Sequence, residues 1–120
     1  NKILILSSGA LLSTIRENII LLNLDSQINL ASTCCLSNET LDHIKLEQYS
    51  DLYSFEEIVY AGSISSLMYQ YIYKNALDIN YSAFNVTDYS EIPGGNAEFY
   101  RDKYNMSSNK ITKFLKRITS

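Results

Sequence analysis

The sequence predicts an α/β fold, a small parallel sheet with helices on both faces, and three observations predict it. "KILILSSG", Lys2 to Gly9, is a short continuous apolar run closed by small residues, the pattern of a strand buried on both faces that ends in a tight turn. A helical stripe follows at once, with Leu12, Ile15, Ile19 and Leu22 at spacings of three and four. Strand-then-helix succession returns in "SFEEIVYAGS" and "ISSLMYQYIYKNAL", and alternation of this kind argues for parallel strands joined by right-handed crossovers.

Taken in order, Lys2 to Gly9 is the first strand, and Ser8 is placed to cap the helix from Ala10 to Asn23. Arg16, Glu17 and Asn18 fall mostly away from that helix's apolar stripe. "INLASTCCL", Ile28 to Leu36, is a second strand interrupted by Asn29 and Ser32. "SNETLDHIKLEQ" then offers a short capped helix from about Asn38. Ser54 to Ser63 repeats the first pattern, with an apolar run from Ile58 to Ala61 that Gly62 stops. The helix after it carries Ile64, Leu67, Met68, Tyr71 and Ile72 on one side. "NYSAFNVTDYSE" is polar and aromatic and reads either as an edge strand around Ala83 to Thr87 or as a long loop. Ser107 or Ser108 can cap a final amphipathic helix over 107–118, whose Ile111, Phe114, Leu115 and Ile118 form one stripe. Lys110, Lys113, Lys116 and Arg117 are expected on its opposite, solvated face and in its last turn, where cations favour the helix dipole.

At 120 residues and 46% hydrophobic content, one domain is expected. Ten basic residues against 13 acidic ones give a net charge of −3, which argues against nucleic acid as a partner. No run approaches the ~18 apolar residues of a membrane span, so no membrane role and a cytoplasmic setting are expected. Cys34 and Cys35 are adjacent and on a strand point to opposite faces, which disfavours a bridge between them. They and the single histidine, His43, make no metal ligand set; His43 reads as a solvated helix residue.

The places suited to ligands are the strand ends. "SSGALLS" sets backbone amides at a helix start, where α/β sheets bind ligands, and "YAGSISS" does the same. Ser8, Gly9, Gly62 and Ser63 are therefore the candidate substrate-side loop residues. Neither loop is G-x-G-x-x-G, and no G-K-[ST] follows either one. No Ser-His-Asp set or carboxylate pair can be assembled, so no catalytic residue is assigned.

"EIPGGNAEFYRDKYNM", Glu91 to Met106, holds the only proline and two of the four glycines. Pro93 fixes the backbone before Gly94 and Gly95, and Asn96 can cap a helix containing Phe99, Tyr100 and Lys103. A loop ending in "IPG", then an alanine, an aromatic, "RDK", a methionine and a capped amphipathic helix is similar to the end of the N-terminal, Rossmann-like pre-ATP-grasp domain of ATP-grasp ligases. The specific match covers about Ile92 to Ile118. The resemblance implies the N-terminal part of a longer chain whose C-terminal ATP-grasp lobes follow the final helix. Such ligases activate a small-molecule carboxylate with ATP and Mg2+ as an acyl phosphate, which a nucleophile then attacks. It implies that Lys103 contacts nucleotide phosphate in the parent enzyme, and that this chain alone holds no cofactor and turns nothing over. The reading from another class is a self-contained small α/β binding or protein-interaction module. A tyrosine-rich contact surface is a further possibility, with ten tyrosines in the chain.

Overall fold

In a computed structural model the described residues are 2–33, 36–56, 64–85 and 108–120. Five-residue β1 (Ile3–Ser7) leads into α1 (Gly9–Leu21), then β2 (Ile28–Ser32), α2 (Asn38–Ile44), a 3-10 turn (Leu46–Gln48), β3 (Asp51–Glu56), α3 (Ile64–Lys74), β4 (Asn80–Asn85) and α4 (Ser108–Thr119). The strands form a parallel sheet in the order β2-β1-β3-β4. The α/β class expected from the sequence is the one observed.

The chain steps outward from β1 to β2, then returns across β1 to β3 and continues to β4. Right-handed crossovers put helices made in opposite directions on opposite faces. Accordingly α1 and α4 pack on one face with Ile3, Ile5, Phe55 and Ile28, while Leu41 of α2 and Met68 of α3 pack on the other with Leu4, Leu6 and Leu52. β1 is buried at every position, because it is central and covered on both faces. Alternation in β3 splits the two cores: Tyr53 and Phe55 face α4, whereas Leu52 and Ser54 face α3.

Four expectations shift. The third strand described is Asp51–Glu56, upstream of the Ile58–Ala61 run, which lies outside the described residues. Asn80–Asn85 is a strand, paired along its length with β3. Ser8 precedes α1 in an extended conformation but makes no side-chain capping bond. Asn18 is buried rather than turned away, since it donates to Thr14 O and accepts a 2.6 Å hydrogen bond from Thr112 Oγ1, which ties α1 to α4. The short helix at Asn38 forms as expected: Ser37 and Thr40 exchange bonds in a capping box.

Candidate functional site

Strand order reverses direction between β1 and β3, and open α/β sheets take ligands outside the carboxyl ends of the strands at that switch point. Ser7 closes β1 there. Its side chain is fully buried and its Oγ donates to Phe55 O at 3.0 Å, stitching the two strand ends together. On the other side the backbone amide of Thr33, just past β2, donates to Ser7 O at 2.8 Å. Ser8 and Gly9 are exposed at the start of α1. Gly9 has φ +61°, in the left-handed region, with nothing within 4 Å of where a Cβ would sit. Backbone conformation, not crowding, is what requires glycine here.

Glu56 ends β3 and turns its carboxylate onto the first turn of α3, where Ile64 N donates to Oε1 at 3.0 Å. Burial pushes its pKa up from the ordinary carboxylate range, and the hydrogen bonds from the Ile64 and Ser65 amides pull it partly back. The amides that a helix start offers to an anion are thus engaged by the chain's own carboxylate. From the sequence, Glu56 is assigned no role. Its signal was its place: an acid at the end of a strand, eight residues before a helix's first amide.

A second feature lies beside the switch point, on the α4 face. Phe55 and Phe84 are register partners on β3 and β4, and their rings stack with centroids 4.8 Å apart and planes 13° from parallel. Phe114 of α4 meets both edge-on, at 5.5 and 5.3 Å, and meets Tyr53 at 4.9 Å. These three phenylalanines, with Lys110, Lys113 and Arg117, line a cleft of about 300 Å³. The Arg117 guanidinium lies 5.4 Å from the Phe114 ring centre, within cation–π range. The basic residues of α4 therefore do not all occupy the face opposite the apolar stripe. Lys110 and Arg117 stand at i−4 and i+3 from Phe114 and share its side of the helix, and Lys113 borders the same cleft.

Among the sequence-derived site residues, Ser8 and Gly9 lie just past the carboxyl end of β1, whereas Gly62, Ser63 and Lys103 lie outside the described residues, as do Cys34 and Cys35. His43 is exposed in the last turn of α2. Among the described residues no group of three or more His, Cys, Asp or Glu gathers in metal-binding proximity, and no helix is long and apolar enough to cross a membrane.

No family model matches the chain, and no curated protein does. Among solved structures, the chain is similar to one described as a split-gene transketolase, inactive beta4 tetramer, with a TM-score of 0.71 and 14% identity. The likeness covers 97% of this chain and 38% of that one. At this identity the comparison establishes a shared Rossmann-like α/β fold.

Proposed function

We propose that the chain is a non-catalytic α/β domain of a larger transketolase-type enzyme, supporting ketol transfer by residues that lie elsewhere. The observation that carries this reading is the extent of the superposition: nearly all of this chain maps onto little more than a third of a transketolase chain. That chain is itself described as inactive in its β4 form, which suits a part that works only in a larger assembly. The engagement of Glu56 with α3 supports the same reading, because it leaves this half-buried carboxylate in a structural task. Fold alone does not carry chemistry, so the test is direct. The complete product of the gene is assayed for ketol transfer beside residues 1–120 alone. Activity in the complete product and none in the short chain is the expected result. Ketol transfer by the short chain, or its absence from the complete product, would overturn the proposal.

A second reading rests on a different observation, the "IPGGNAEFYRDKYNM" segment. In it the chain is the N-terminal domain of an ATP-dependent carboxylate ligase, with Lys103 directed at nucleotide phosphate, where a point charge on a flexible stem is suited to the task. ATP and Mg2+ would be held mainly by lobes following Ser120. ATP-dependent carboxylate ligation by the complete gene product, with an ATP Michaelis constant raised by Lys103→Ala, is the outcome that separates this reading from the first.

A further inference from the structure

The cleft between α4 and the ends of β3 and β4 joins two chemistries that one small ligand can satisfy together. Its floor is three phenylalanines in mutual ring contact. Its wall is the Lys110, Lys113 and Arg117 side of α4. The whole helix carries four cations and no carboxylate, in a chain whose net charge is −3. About 300 Å³ lies at the small end of ligand sites, which are apolar hollows with a few convergent polar groups. The cleft also lies at the carboxyl edge of the sheet, where α/β folds place ligands.

We infer that this cleft binds a small amphiphilic anion, an apolar ring or short acyl body whose phosphate or carboxylate head is held by Lys113 and Arg117. The inference does not depend on which enzyme carries the domain. Inorganic phosphate alone satisfies only the wall, and a neutral aromatic only the floor. Nucleic acid is disfavoured because four clustered cations on one helix, in a chain whose net charge is −3, make too small a basic patch. A membrane surface is disfavoured because the apolar stripe of α4, Ile111, Phe114 and Leu115, is already buried against the sheet and α1, whereas a helix that lies on lipid needs that stripe free.

The test titrates the full chain with phenyl phosphate and follows the aromatic resonances of Phe55, Phe84 and Phe114 by NMR. Saturation on the order of 1 mM is expected for a ligand of this size, with inorganic phosphate and benzyl alcohol each binding at least ~10-fold more weakly. The charge reversals Lys113→Glu and Arg117→Glu change exposed side chains, so circular dichroism can verify that the fold persists. Each should weaken phenyl phosphate by ~10-fold or more, the scale of a lost charge-assisted hydrogen bond. Lys116→Glu makes the same change in net charge on the same helix outside the cleft, and should change affinity by less than about 3-fold, as a screened surface charge does. Equal weakening by Lys116→Glu, equal binding of inorganic phosphate, or unmoved phenylalanine resonances would each overturn the inference.

Discussion

Phe114 holds α4 to the sheet, and its removal tests the packing on that face. The ring is 8% exposed and makes edge contacts with Tyr53, Phe55 and Phe84, on two neighbouring strands. Truncating a buried phenylalanine to alanine costs about 3–5 kcal/mol, transfer and cavity terms together. Because the ring borders an open cleft, part of the vacated space can take water, which places Phe114→Ala near the lower end, at about 3 kcal/mol. Against a total stability of about 5–15 kcal/mol for a domain of this kind, that is a large share. Phe114→Leu keeps most of the apolar volume and should cost less than about 1.5 kcal/mol. Urea unfolding followed by far-ultraviolet circular dichroism measures both. Tyrosine fluorescence provides a second probe, since the chain has no tryptophan. A loss below about 1 kcal/mol for Phe114→Ala, with the denaturant slope unchanged, would refute the docking of α4 across β3 and β4, because no buried ring on three aromatic partners is that cheap to remove.

Three further outcomes follow from single contacts. Gly9→Ala meets no steric obstacle but must hold φ +61°, so it should lower stability by about 1–2 kcal/mol in the same urea assay. Thr112→Val keeps the shape and deletes the hydroxyl that donates to Asn18, and should cost about 1 kcal/mol, with a coupling of similar size when combined with Asn18→Ala in a double-mutant cycle. The pKa of Glu56 is raised in the folded state, so its contribution is full at pH values below the ordinary carboxylate pKa and is lost as pH rises through the higher folded value. Melting temperatures between pH 4 and 7 should therefore show a decline that is smaller in Glu56→Gln; an identical pH profile in the two proteins would remove Glu56 as its source.

The parts of this fold that the sequence made legible are those where burial and periodicity agree. β1 is apolar at four successive positions because it is covered on both faces, and α4 shows its stripe because only one side packs. The sequence does not announce Asp51–Glu56 as a strand, because Ser54 interrupts the apolar pattern of "DLYSFE" whereas Ile58–Ala61 is an unbroken apolar run. That serine is fully buried, but its hydroxyl is paired with Tyr81 at 2.6 Å, and a satisfied polar group in a core leaves no mark on hydrophobicity. β4 is ambiguous in the sequence for a related reason: it lies at the edge of the described sheet, where Asn80 and Ser82 stay exposed and break the apolar pattern. The cleft is invisible in the sequence because Phe55, Phe84 and Phe114 are about thirty residues apart from one to the next; strand register joins the first two and the docking of α4 adds the third. Its cationic wall was legible in principle, since Lys110, Lys113 and Arg117 stand at helical spacing around Phe114.

The two features of the sheet's carboxyl edge differ in one respect that decides how each can serve. At the switch point the α3 amides already face an anion, the carboxylate of Glu56, so an external anion there must compete with a tethered one. Tethering favours the internal group by its effective concentration. Glu56→Ala removes that competitor and leaves the helix start without its acceptor, a loss comparable to deleting an N-cap, about 1 kcal/mol. An external anion should then restore part of it, because a ligand stabilises a fold in proportion to its binding. The expected result is that ~50 mM sulfate raises the melting temperature of Glu56→Ala more than that of the native chain, which serves as the control for the general salting effect of sulfate. Equal shifts in the two proteins would mean that α3 does not present its amides to anions even when they are vacated, and the carboxylate would then be a packing group and not a stand-in for a ligand.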